Sequence, residues 1–105
     1  MKYGLSEDDI EKILTVLREF PQIEKAILYG SRAKGNYKIG SDIDITLIGN
    51  DLNLSVLNSL GVRIDDLLLP YLFDFSIFNQ ITNSNLIEHI NRVGIEFYNK
   101  SKNCI

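Results

Sequence analysis

Apolar residues recur along the chain with two different periods. Ile10, Ile13, Leu14 and Leu17 fall at i, i+3, i+4 and i+7, the stripe of a helix that buries one face. Ser6 stands before the stripe as an N-cap, and Glu7, Asp8 and Asp9 fill the first turn, where negative charge suits the helix dipole. This helix is predicted to end near Phe20-Pro21. Lys25 to Tyr29 reads as a short strand, Gly30-Ser31 as a turn into a one-turn helix, and Gly35 as the C′ residue of that helix. Residues 36 to 41 form a loop, and Asp42 to Ile48 a second strand.

Asp51 or Asn53 caps a helix running to about Leu67, with Leu54, Leu57, Leu60, Ile64 and Leu68 inward. Gly61 inside it costs about 1 kcal/mol and marks a place where the helix can break. Pro70 stops it, and Leu72 to Phe78 is a third strand. Asn85 with Glu88 three residues on has the form of a capping box, opening a helix through Arg92. Gly94 ends that helix, and Ile95 to Tyr98 adds a short edge strand. The succession predicts an α/β fold, a small sheet with helices packed on it.

With 105 residues, 45% of them hydrophobic, the chain is expected to form one domain over residues 1–105 with a real core. No apolar run approaches the roughly 20 residues that span a bilayer. The opening MKYGLSEDDIEKIL turns acidic too soon for a secretory signal. Cys104 is the single cysteine, expected to be inert, and leaves no internal disulfide. These features predict a soluble cytoplasmic protein without a membrane partner. A net charge of −3 argues against a grip on a nucleic-acid backbone, which favours a basic face.

The segment LYGSRAKGNYKIGSDIDITLIG, residues 28–49, carries the candidate chemistry. Strand alternation points Asp42 and Asp44 to one face and Ile43 and Ile45 into the core. Two carboxylates with Cβ atoms roughly 7 Å apart repel each other and call for positive charge. Mg²⁺ fits, since hard cations take carboxylate oxygens. In LFDFSIF, Asp74 points away from Phe73, Phe75 and Ile77. If the third strand lies beside the second, Asp74 completes a three-carboxylate cluster of the kind that holds two metal ions for phosphoryl displacement. Gly30 lets a phosphate approach the backbone, and the Ser31 hydroxyl and nearby N–H groups offer an anion site. Arg32 and Lys34 add positive charge beside it. Each piece alone is ordinary: a turn, a solvated strand edge, surface charges. Together they describe a nucleoside triphosphate site. His89 has no second His or Cys at ligand spacing and reads as a packing or surface residue. Tyr29 reads as core beside the site, and Tyr37 as an incidental loop residue that could stack on a base.

Gly30-Ser31, then Asp42-x-Asp44, then Asp74 in a later strand resembles the minimal nucleotidyltransferase family of the DNA polymerase β-like nucleotidyltransferase superfamily. LLLPYLFDFSIF and LIEHINRVGIEFY resemble the MntA-like antitoxin branch paired with HEPN-domain toxins. The resemblance covers nearly the whole chain and implies a polymerase β-like fold. It also implies that Asp42 and Asp44 bind the metals and that Asp74 deprotonates or orients an acceptor hydroxyl. Gly30 and Ser31 would hold the β- and γ-phosphates. The implied reaction transfers AMP from ATP to a tyrosine hydroxyl of a HEPN toxin. Two other readings stand beside it: an antitoxin that neutralises the toxin by binding alone, and a transferase acting on a small hydroxylated molecule such as an aminoglycoside. The larger superfamily members' acceptor domain has no counterpart here, which argues against the last.

Overall fold

The computed structural model describes residues 2–102; Cys104 lies outside them. Helix α1 spans Glu7–Arg18, and the Ser6 hydroxyl accepts from the Asp9 N–H at 3.1 Å, as the cap pattern requires. Strand β1 is Lys25–Tyr29, α2 is the single turn Ser31–Lys34, and β2 is Ile43–Ile48. Helix α3 runs Leu54–Asp65, β3 Phe73–Ile77, α4 Ser84–Val93 and β4 Ile95–Asn99, with a 3-10 turn at Phe78–Gln80.

The strands form one sheet in the order β3-β2-β1-β4. β1 pairs antiparallel with both β2 and β4, while β2 and β3 run parallel across the α3 connection. The fold is therefore α/β with a small mixed sheet. One face carries Ala26, Leu28, Ile43, Ile45 and Leu47, which bury with Ile13, Val16 and Leu17 of α1 and Leu60 and Ile64 of α3. The other face is covered by α4 near Ile27, where Gly94 comes so close to the Ile90 carbonyl and the Ile27 side chain that a Cβ would collide with both. Gly94 thus ends α4 by permitting close approach; its φ of −61° asks nothing special of a glycine.

Three local expectations are corrected. The buried stripe of α3 is Val56, Leu60 and Ile64, while Leu54 is 68% exposed and Leu68 is 89% exposed. Leu60 and Ile64 are buried and Leu57 packs against the core as expected, Val56 joins them, and the chain has left α3 before Leu68, which takes the left-handed region (φ 56°) with its side chain in water. Asn53, not Asp51, caps this helix, accepting from the Val56 N–H at 2.9 Å, and Gly61 passes without a break. At α4 the cap is Asn83 rather than Asn85. Its side chain accepts from the N–H groups of Asn85 and Leu86, and Glu88 instead pairs with Arg92. Finally, β2 begins at Ile43, leaving Asp42 at its mouth. Among the described residues no helix is long and apolar enough to cross a membrane.

The α3 stripe sets a paired test. Leu60→Ala should cost about 2–5 kcal/mol through lost burial and a cavity, whereas Leu54→Ala should stay within about 0.5 kcal/mol. Denaturant unfolding of the two variants checks this; equal losses would mean that α3 is rotated so that Leu54 faces the core along with Leu60.

Candidate active site

The β2–β3 register decides which carboxylates meet. Asp44 lies directly beside Asp74, with Ile43 beside Phe73 and Ile45 beside Phe75. The condition for Asp74 to join the cluster is therefore met by strand order. On the other side of β2, Tyr29 stands opposite Asp44. Tyr29, Asp44 and Asp74 form a row across three strands. One step along, the Ser76 hydroxyl donates to Thr46 Oγ1 at 2.9 Å, which satisfies the fully buried threonine. Asp42 is exposed at the strand mouth and Asp74 is exposed, while Asp44 is half-buried.

Burial, and then the charges of Asp74 and Asp42, push the Asp44 carboxyl above its ordinary value, with His89 pulling the other way. The Tyr29 hydroxyl is pushed up by burial and by Asp74 and Asp44, partly offset by Ser76. Tyr29 is 7% exposed, the core residue beside the site that its position in β1 predicts.

Gly30 joins the two halves of the site. Its φ of 77° and ψ of −155° suit glycine alone, and a Cβ there would run into the Asp44 carboxylate. The bare Cα is what lets the carboxylate lie against the turn. Ser31 follows as the first residue of α2, half-buried, and Gly35 closes that turn in the left-handed conformation at φ 87°. Lys34 is exposed on it.

Arg32 departs from expectation. It is 3% exposed, and its guanidinium is turned to backbone carbonyls: Nε and Nη2 donate to Ser41 O at 3.1 and 2.8 Å, and Nη1 to Tyr3 O at 2.8 Å. The rings of Tyr37 and Tyr71 flank it, with centroids at 5.5 and 5.2 Å. The residue ties the N-terminal turn to the loop that delivers Asp42, and Tyr37 serves as one wall of its slot. A long, forked donor with three carbonyl bonds is held too firmly to act as a loose cation beside Ser31. No signal within the sequence separates this arginine from a surface one, because its partners are main-chain atoms.

His89 is the residue that sequence reasoning passed over. It is half-buried on α4; its Nε2 accepts from the Gly30 N–H at 3.3 Å, and its ring meets Tyr29 edge-on with centroids 6.2 Å apart. Only the fold brings it to Gly30, 59 residues away in the chain.

The donor chemistry suits a hard divalent cation: three carboxylates, with no ion pair to any of them among the described residues. Among the described residues, however, no group of three or more His, Cys, Asp or Glu side chains is gathered closely enough to hold a metal ion.

Residues 11–103 match the family model described as polymerase beta, nucleotidyltransferase. The chain belongs to this family. No match emerged among curated proteins. Solved structures share the nucleotidyltransferase fold at low identity. A toxin–antitoxin crystal structure with AMP-PNP superposes with a TM-score of 0.71 at 22% identity, over 89% of this chain and 75% of that one. A tri-AMPylated Shewanella oneidensis HEPN toxin in complex with MNT antitoxin gives 0.67 at 19% identity, over 93% and 76%. The toxin–antitoxin MntA-HepT gives 0.65 at 19%, over 92% and 75%.

Two outcomes follow for this nucleotidyltransferase domain. Gly30→Ala should be destabilised, because both the positive φ and the Asp44 carboxylate oppose the methyl; denaturant unfolding unchanged from wild type would refute the close approach. For Asp44, the folded state favours the protonated carboxyl. The wild type should therefore match Asp44→Asn below the ordinary aspartate range. It should fall behind that variant as pH rises through the elevated folded value, in metal-free buffer. Chemical denaturation at several pH values measures the gap, and a gap that closes with rising pH would contradict the assigned repulsion.

Proposed function

We propose that the protein is an Mg²⁺-dependent nucleotidyltransferase that moves AMP from ATP to a hydroxyl, a tyrosine, on a HEPN toxin, and so acts as that toxin's antitoxin. The observation that carries this reading is the pairing of Asp44 with Asp74 across adjoining parallel strands, directly beside the Gly30-Ser31 turn. Solved structures of the same fold add support: one holds AMP-PNP and another contains an AMPylated HEPN toxin.

In this reading the Ser31 hydroxyl and the neighbouring backbone N–H groups take the outer phosphates, with Lys34 beside them. Asp42 and Asp44 would hold Mg²⁺, which when bound would polarise phosphate oxygens and neutralise charge that develops on them. Asp74, exposed at the open edge of the row, takes the proton of the acceptor hydroxyl. The freed oxygen attacks the α-phosphorus, the bond from that phosphorus to the oxygen bridging toward the β-phosphate breaks, and pyrophosphate leaves. Arg32 keeps Asp42 in place through Ser41 rather than touching nucleotide.

The binding-only antitoxin remains a second reading because the carboxylates are not gathered into a finished metal cage. Incubation with the HEPN toxin, ATP and Mg²⁺, followed by mass measurement of the toxin, separates the two. Wild type should add one or more adenylyl groups. Asp42→Asn and Asp44→Asn should add none while remaining folded, and Asp74→Ala should lose about 10²- to 10⁴-fold in rate with nucleotide binding kept. An unmodified toxin bound and inactivated by the wild type would decide for binding alone. Loss of nucleotide binding in Asp74→Ala would make that residue a metal ligand first.

A further inference from the structure

We infer that His89 is a positioning residue of the nucleotide site: it fixes the Gly30-Ser31 turn against the Asp44 carboxylate and thereby sets the gap between the phosphate-binding turn and the carboxylates. The inference rests on the triphosphate reading of this site.

Gly30 is held from two sides. Its N–H donates to His89 Nε2 at 3.3 Å, and its Cα faces the Asp44 carboxylate with no room for a Cβ between them. Neither contact tolerates much movement of the turn. If that N–H loses its acceptor, the Tyr29–Gly30 peptide is released, and Gly30, with no side chain to restrict its φ and ψ, passes the freedom to the next peptide, which carries the Ser31 N–H.

The imidazole is itself well placed to act as a fixed post. α4 is seated on β1 next to His89, where the adjoining Ile90 is 4% exposed and Gly94, just past the helix, packs on Ile27. The ring meets Tyr29 edge-on, and Tyr29 is buried directly opposite Asp44 in the sheet. The helix, the tyrosine and the turn thus determine where the ring nitrogen lies. Accepting through Nε2 leaves the ring proton on Nδ1, so the contact also selects one tautomer. A residue serving packing alone needs only a ring or an apolar side chain; a ring nitrogen that receives a backbone N–H from the turn has a directional task.

The test separates the acceptor from the ring. His89→Phe keeps a ring against Tyr29 and removes the acceptor, while His89→Gln restores an acceptor oxygen at similar reach. Calorimetry with a non-hydrolysable ATP analogue and Mg²⁺, and with AMP, reads both variants beside the wild type, and thermal unfolding is followed in parallel. The Phe variant should bind the triphosphate about tenfold more weakly, the scale of one directed hydrogen bond, with a smaller loss for AMP. The Gln variant should come back to within about threefold of wild type by the same reasoning. Wild-type affinity in the Phe variant, or equal losses in Phe and Gln, overturns the positioning role while leaving the triphosphate site intact. Should His89→Phe not fold, His89→Leu takes its place under the same criteria. A wild type that binds no triphosphate overturns the site reading and this inference together.

Discussion

The pairing of two like charges, Asp44 and Asp74, at the same level of neighbouring strands is the constraint around which the site is arranged. Parallel pairing of β2 with β3 puts the two carboxylates side by side at the same level of the sheet, and Asp42 adds a third negative charge at the strand mouth. Opposed like charges on neighbouring strands weaken a sheet by a few tenths to about 1 kcal/mol. The fold tolerates this because the other face of the same strands is a dry core of Ile43, Ile45 and Leu47 packed on α1 and α3. Hydrophobic burial on one face fixes the register, and the register then forces the charges together on the other.

What surrounds the carboxylates responds to that charge. Gly30 gives the Asp44 carboxylate a surface without a side chain, and His89 holds the same glycine from the opposite side. Tyr29 fills the row behind them, its hydroxyl disfavoured from ionising by burial and by both aspartates. Among the described residues no lysine or arginine forms an ion pair with these carboxylates. Their charge is left without a cationic partner among the described residues, a demand that a bound cation would meet.

Arg32 shows how a charge next to a site can belong to its scaffold. Its bonds to Ser41 O and Tyr3 O brace the loop before Asp42, so the carboxylate at the strand mouth is delivered from a fixed point although it lies outside the strand. The same loop leaves Ile39 fully exposed.

Much of this was determined by sequence alone. Strand alternation separated the face of Asp44 from that of Ile43 and Ile45, and the Gly-Ser turn, the one-turn helix and the limits of β1 follow from residue types over a few positions. These are local properties, governed by backbone sterics and by the period of apolar residues. Three features belonged to the tertiary structure. Asp74 joined Asp44 only because β3 docked beside β2, a matter of strand order that no window of sequence contains. The inward face of α3 kept Leu57, Leu60 and Ile64 but took in Val56 and left Leu54 in water, since packing against the sheet sets the rotation of the helix. His89 and Arg32 found partners that the sequence does not announce. The histidine reaches Gly30 across 59 residues, and the arginine spends its charge on carbonyl oxygens, which every residue possesses and which therefore leave no mark in the sequence.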